Sequence, residues 1–234
     1  MVVFAHRGFT PPFENSIGAF ERALDAGADY IETDVRATKD GIAVLCHDQE
    51  LTRIAGVKKE IAELNLSELI EILQVPTLLE ALNKFPTAKF NIDIKETRAI
   101  DSTVSAIETA QAHHRVLVSS FSNSIRVSAL SKFTKPVATS ASSSIVIKVW
   151  LRSFFGLKLD HILSGIGALQ VPTSRFGMKF DSKRFISSVS NTGTQIHFWT
   201  INQADQMRRL VALGAHGIIT DKTDLAVKTL RKTK

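Results

Sequence analysis

Short apolar runs alternate along this chain with longer stretches whose apolar positions recur every three or four residues. The runs at 2–5, 30–35, 43–47, 89–95, 115–120, 136–140, 168–172, 195–202 and 217–221 read as β-strands. Between them, 16–26 sets Ile17, Phe20, Ala23 and Leu24 on one helical face, with Gly27 as a C-cap. Further helices are expected at 77–85, at 100–112 and at 204–213, the last closing at Gly214. Strands that alternate with helices imply a parallel sheet with right-handed crossovers.

Strands 30–35 and 43–47 are close enough to be joined through the Lys39-Asp40-Gly41 turn. Merging that hairpin leaves eight β/α units in 234 residues, about 29 each, which suits an α/β fold of the (β/α)8 TIM-barrel type. A doubly wound open sheet is the alternative, but no Gly-rich phosphate loop follows the first strand. One domain spanning 1–234 is therefore expected. Two segments depart from the repeat. Residues 49–75 are too long for a plain loop and suggest a small insertion near the mouth of the barrel. Residues 143–167 are apolar with Lys148, Arg152 and Lys158 interspersed. They read first as a barrel helix and second, over 143–160, as a basic amphipathic helix making peripheral contact with a membrane or lipid-like substrate.

Composition narrows the classes. With 44% hydrophobic residues and a mean hydropathy of +0.06, there is material for one sizeable core. The single cysteine, Cys46, excludes an internal disulfide, suits a reducing compartment and reads as a small buried hydrophobe. No run of 18 apolar residues offers a membrane span, and no basic leader or long apolar segment precedes His6, so a cytoplasmic location is expected. The net charge of +6 lies partly in the tail, at Lys222, Lys228, Arg231, Lys232 and Lys234. Without aromatic interleaving or a binding motif these cations read as helix-dipole partners, and no nucleic-acid partner is expected.

The candidate chemistry sits at strand ends. Ala5-His6-Arg7-Gly8, Glu32-Thr33-Asp34 and His47-Asp48 each lie at or near the carboxyl end of an apolar run, with Glu14-Asn15 between the first two. Side chains alternate along a strand, so Glu32 and Asp34 share one side, as do Asn91, Asp93 and Lys95. Active sites of such barrels form at those ends. Glu32, Asp34 and Asp93 facing one space call for a cation, and hard oxygen donors favour Mg²⁺ or Ca²⁺ over zinc. His6 and His47 suit proton transfer; Arg7 and Lys95 suit phosphate oxygens. Trp199 either lies against a substrate alcohol or packs the barrel. Carboxylates, cations and imidazoles together suggest metal-assisted cleavage of a phosphate ester.

These motifs carry a family resemblance. Ala5-His6-Arg7-Gly8, Glu14-Asn15-Ser16, Glu32-Thr33-Asp34-Val35, Asp40-Gly41, His47-Asp48 and Leu51-Thr52-Arg53 resemble a glycerophosphodiester phosphodiesterase. Pro76-Thr77-Leu78-Leu79-Glu80-Ala81-Leu82, Asn91-Ile92-Asp93-Ile94-Lys95, Ser120-Phe121-Ser122, Trp199-Thr200-Ile201-Asn202 and Gly217-Ile218-Ile219-Thr220-Asp221 agree, so the resemblance spans nearly the whole chain. It implies a (β/α)8 barrel that hydrolyses glycerophosphodiesters to sn-glycerol 3-phosphate and an alcohol, within glycerol and phospholipid metabolism. By position it implies Glu32, Asp34 and Asp93 as metal ligands and His6 and His47 as the acid/base pair. Arg7 and Lys95 become phosphate contacts, and Glu14 and Asn15 flank the first histidine. The implied reaction begins with attack of the substrate's own glycerol hydroxyl on phosphorus, and water then opens the cyclic phosphate. Asp93 stands where the family usually has glutamate, and Ser16, an expected helix N-cap, where threonine is commoner. Two rival readings remain: a lipid-directed phosphodiesterase acting on lysophospholipids, and a barrel that binds phosphodiesters without turnover. The second is disfavoured, because a binding module needs no pair of proton-transfer groups. Oligomeric state is not legible in the sequence.

Overall fold

A computed structural model describes residues 1–9 and 14–231. Its strands are β1 (Val2–Ala5), β2 (Tyr30–Ala37), β3 (Ala43–Leu45), β4 (Lys89–Ile94), β5 (Val116–Ser119), β6 (Ala138–Thr139), β7 (Ala168–Val171), β8 (Ser174–Arg175), β9 (Met178–Lys179), β10 (Gln195–Phe198) and β11 (Gly217–Thr220). Strands run parallel in the order β6-β5-β4-β2-β1-β11-β10-β7. The ends of that ribbon meet at a parallel Ser140–Ala168 bridge, where the Gly167 and Ala141 amides donate across the seam at 3.0 and 2.8 Å. The result is the expected (β/α)8 barrel.

The helices are α1 (Ile17–Asp25), α2 (Thr52–Ala55), α3 (Leu66–Ile72), α4 (Leu78–Lys84), α5 (Ile100–Thr109), α6 (Asn123–Leu130), α7 (Ser143–Phe154), α8 (Asp160–Leu163), α9 (Lys183–Ser190), α10 (Ala204–Ala212) and α11 (Thr223–Leu230). The inward stripes of α1, α4, α5, α6, α7, α9, α10 and α11 cover the outer face of the sheet. In α1, Ala19, Phe20 and Ala23 are buried, and the Phe20 ring meets Phe90 of β4 edge-on at 6.0 Å. Burying such a ring contributes roughly 1.5–3 kcal/mol. Ser16 caps α1 by accepting from the Ala19 amide, as its residue type implied. Inside the barrel floor, Phe4 lies between Tyr30 and His197, with ring centroids 4.7 and 4.6 Å away. Gly217 makes room for them: a Cβ there would sit 2.8 Å from both His197 and Phe4.

β3 is not a barrel strand. It folds back antiparallel on the overhang of β2, pairing Val35 with Leu45 and Ala37 with Ala43. The Cys46 amide then donates to the Asp34 carbonyl at 3.0 Å, which returns His47 to the level of Asp34. The insertion at 49–75 forms α2, a 3-10 turn at Ile61–Glu63 and α3 around a small core of Val44, Cys46, Leu51, Ile61, Leu64 and Leu69. Burial pushes the Cys46 thiol up to about 11, consistent with a packed, unreactive side chain. The 195–202 run forms strand only to Phe198, and beyond it the Trp199 and Ile201 amides donate to the Val171 and Ile219 carbonyls at 3.1 and 3.0 Å. The β8–β9 hairpin was not expected, because two-residue strands show no periodicity; its tip, Phe176-Gly177, has φ of 49° and 77°. In the tail, Arg231 pairs with Asp29 at 2.7 Å, while Lys232 and Lys234 lie outside the described residues. No helix of the described residues is long and apolar enough to cross a membrane.

Candidate active site

The β1–α1 turn sets the first part of the site. Gly8 has φ +85°, and a Cβ on it would meet Phe20 at 2.8 Å, so the turn accepts only glycine there. Arg7 and Asn15 also adopt left-handed backbone, at φ 53° each, which is costly for arginine and recurs where a site constrains the chain. The bent turn aims the Arg7 amide at Glu32 Oε2, 3.0 Å away, and the Asn15 amide at the Arg7 carbonyl, 2.8 Å away. The Thr33 hydroxyl, beneath the loop, donates to Asn15 Oδ1 at 2.7 Å, and Asn15 Nδ2 lies 3.3 Å from Asp34 Oδ2. Asn15 is thus a brace between the loop and β2.

Sheet register sets the second part. Glu32 is paired with Asn91, and Asp34 with Asp93, on adjacent strands β2 and β4. All four residues are buried and line one cavity of ≈ 530 Å³ at the carboxyl ends of the strands. Lys95 Nζ lies between two of the carboxylates, 2.6 Å from Asp34 Oδ1 and 2.7 Å from Asp93 Oδ2. Burial opposes its charge, but those two carboxylates outweigh it and hold the ammonium above its ordinary pKa. Asp34 is likewise held below its usual range: burial would raise it, and Lys95 and Arg7 prevail. Glu32 and Asp93 go the other way. Burial first, then the charge of Asp34, lifts Glu32; burial also lifts Asp93 against the pull of Lys95.

Burial thus works against the charged forms of Glu32 and Asp93. Three buried carboxylates offering oxygen donors, with no thiolate among them, fit a hard divalent cation. As arranged here the oxygens are partly engaged by Lys95, and among the described residues no three acidic, histidine or cysteine side chains stand ready-made as an ion cage. A cation held by Glu32, Asp34 and Asp93 would take over charge that Lys95 now supplies.

The imidazoles stand on two sides of these carboxylates. Register pairs Ala5 of β1 with Thr220 of β11, so the next residues, His6 and Asp221, lie side by side. His6 Nδ1 is 2.6 Å from Asp221 Oδ1, while Nε2 is 4.0 Å from Glu32 Oε2. Asn202 secures the aspartate, donating to Asp221 Oδ2 at 2.7 Å and accepting from its amide at 2.9 Å. Burial alone would depress the His6 pKa; the Asp221 hydrogen bond and the charge of Glu32 outweigh it, and the imidazole titrates above its ordinary value. His47 Nδ1 is bonded to Asp48 Oδ1 at 2.7 Å. Arg53, from α2, engages both Asp48 and Glu14 at 2.5 Å, and Glu14 in turn accepts from Arg7 at 3.2 Å. Arg7 Nε lies 3.3 Å from Asp34 Oδ2 without hydrogen-bond alignment, leaving that N–H unpartnered in a buried position.

Of the residues named from the sequence, His6, Arg7, Glu32, Asp34, His47, Asp93, Lys95 and Trp199 line the one cavity. Glu14 and Asn15 stand behind it, touching Arg7, Arg53, Thr33 and Asp34. Trp199 also meets Phe121 edge-on at 5.9 Å. Sequence reasoning gave no role to Asp221, Asn202, Arg53 or Gln170. Each of the first three belongs to a quoted motif; for Asp221 and Asn202 the available signal is a polar residue closing an apolar run, and Arg53 carries no such signal. The cavity's other wall, from α7, β7 and the β8–β9 hairpin, carries Val146, Ile147, Val171, Pro172, Phe176 and Met178.

The profile of the Glycerophosphoryl diester phosphodiesterase family matches residues 6–152 and 156–225 of this chain. A relative from Mycobacterium tuberculosis named "Probable glycerophosphodiester phosphodiesterase 2" is 37% identical over 96% of this chain and 88% of its own length. The crystal structure of a glycerophosphodiester phosphodiesterase from Thermotoga maritima superposes with a TM-score of 0.76 at 28% identity, covering 97% of each chain. A phosphodiesterase from Oleispira antarctica, solved with its product sn-glycerol-3-phosphate, shares the fold at a TM-score of 0.80 and 24% identity, over 98% of this chain and 96% of that one.

Proposed function

The chain belongs to the glycerophosphoryl diester phosphodiesterase family, and we infer that it hydrolyses glycerophosphodiesters to sn-glycerol 3-phosphate and an alcohol with the side chains just described. The observation that carries this reading is the convergence in one cavity of two imidazoles, three buried carboxylates and two cationic side chains. Arg7 and Lys95 take the phosphate oxygens. A hydroxyl of the substrate attacks phosphorus and gives its proton to one imidazole. The bond from phosphorus to the leaving alcohol breaks, and the other imidazole supplies the proton that the departing oxygen needs. Water then opens the cyclic phosphate with the two roles exchanged. His6, whose protonated form the Asp221 hydrogen bond favours, suits the donor of the first step, and His47 the acceptor.

Glu32, Asp34 and Asp93 would hold a divalent cation, Mg²⁺ or Ca²⁺, whose charge would stabilise the phosphoryl oxygens and the attacking oxygen as it loses its proton. Assays of glycerophosphocholine after thorough EDTA treatment, then with Mg²⁺, Ca²⁺ or Mn²⁺ restored, test both parts. Chelation is expected to silence turnover, and one of the hard cations to restore it. Full activity after chelation would remove the metal from the reading, and inertness towards every glycerophosphodiester with every metal would remove the hydrolysis.

The apolar wall favours a second reading, action on lysophospholipids. With the phosphate against Arg7 and Lys95, a cavity of ≈ 530 Å³ leaves its α7 end for an apolar group. Relative rates on glycerophosphocholine and lysophosphatidylcholine decide between the two.

A further inference from the structure

Helix α7 carries two apolar stripes where a barrel helix needs one. Val146, Val149 and Ser153 are buried against the barrel. On the outward side Ile147, Leu151 and Phe154 repeat at the same helical spacing, with Phe155 beside them. Phe154 is 60% exposed and Phe155 69%. The patch is contiguous: the rings of Trp150 and Phe154 stack at 5.7 Å, and those of Phe154 and Phe155 meet at 5.3 Å. Trp150 Nε1 donates to the Lys179 carbonyl at 3.2 Å and so ties the β8–β9 hairpin to the helix. The hairpin's tip, Phe176, is 86% exposed, and both Phe176 and Ile147 line the mouth of the catalytic cavity.

The charge along α7 and the β8–β9 hairpin has one sign, and exposed Asp160 lies just beyond them. Between 143 and 159 there is no aspartate or glutamate. Lys148, Lys158, Arg175 and Lys179 are all exposed, and among the described residues no carboxylate pairs with any of them. A second copy of the chain is a poor occupant, since a two-fold contact would set these cations against themselves. An apolar patch ringed by unpaired cations matches a lipid surface with anionic headgroups. At 12 residues α7 is too short to span a bilayer, which leaves it in the interfacial plane.

We propose that the α7 and β8–β9 rim docks this protein on a bilayer containing anionic lipid. The outward stripe settles at the boundary between headgroups and acyl chains, and the cavity mouth faces the membrane. Substrate derived from lipid then enters without crossing bulk water.

Sedimentation with vesicles tests this without reference to turnover, so it stands or falls apart from the hydrolysis. Wild-type protein is mixed with vesicles of phosphatidylcholine alone and of phosphatidylcholine with phosphatidylglycerol. Binding is expected to the mixed vesicles and to weaken as salt rises. The triple variant Leu151→Ser/Phe154→Ser/Phe155→Ser loses about tenfold or more in affinity while keeping its melting temperature and its rate on water-soluble glycerophosphocholine. The pair Lys148→Glu/Lys179→Glu likewise loses binding to the mixed vesicles. Wild-type protein that ignores the mixed vesicles, or a triple variant that binds them equally, overturns the proposal. So does a wild-type dimer that the triple variant turns into monomer, which would assign the patch to a second copy.

Discussion

The cavity has two walls. One is made by the ends of β1, β2, β4 and β11, where His6, Glu32, Asp34, Asp93, Lys95 and Asp221 are locked to one another by charge at 2.6 to 4.0 Å. The other is made by α7 and the β8–β9 hairpin, where Ile147, Phe176 and Met178 touch the same space with apolar side chains, the Arg175 guanidinium lying 5.1 Å from the Phe176 ring. On the first wall each group's pKa and orientation depend on its neighbours, so removing one member leaves another buried and uncompensated. On the second wall contacts are non-directional, and losing one costs little more than its area. In the proposed function, chemistry falls to the first wall, and tolerance, with choice of the leaving group, to the second.

The sharpest way to break this contrast is to remove the two imidazoles proposed to move protons. His6→Ala and His47→Ala are each expected to lower kcat on glycerophosphocholine by about 10²- to 10⁴-fold with the thermal melt little changed. A purified variant that keeps near-normal rates would return that imidazole to a structural role.

Asp221→Asn probes a partner rather than a reacting group. The amide keeps the shape but not the charge that favours protonated His6, so kcat should fall by up to about 100-fold with KM nearly constant. The sign of the pH effect follows from the raised pKa of His6: without Asp221 it drops, and the limb of the pH–rate profile that reports loss of the protonated imidazole moves to lower pH. An unmoved profile would show that Asp221 serves to anchor Asn202 rather than to hold the histidine.

The smallest effect is expected on the apolar wall. Phe176→Ala should leave kcat/KM for glycerophosphocholine nearly unchanged and reduce it for lysophosphatidylcholine by less than about tenfold. Equal losses on both substrates would make the two walls one site and remove the contrast.

Much of this is legible in the amino-acid sequence. The barrel strands follow from short apolar runs, and helices such as α1 and α10 from stripes closed by Gly27 and Gly214. Period-two alternation correctly put Glu32 with Asp34, and Asn91 and Asp93 with Lys95, on the cavity side. These features are local, because side-chain direction in a strand or helix is settled within a few residues. The reach of Arg53 to Glu14, 39 positions away, and of His6 to Asp221, 215 positions away, is not local. Neither is the seam at Ser140 and Ala168, nor the turning back of β3 that brings His47 to Asp34.

By itself, then, the sequence determined which residues could do chemistry and which way they point on their own strands. Tertiary structure decided which strand ends stand side by side, that Lys95 rather than a third carboxylate sits between Asp34 and Asp93, and that an apolar wall completes the cavity. The physical reason is that alternation is a property of one strand, whereas register and closure depend on hydrogen bonds between strands far apart in the chain.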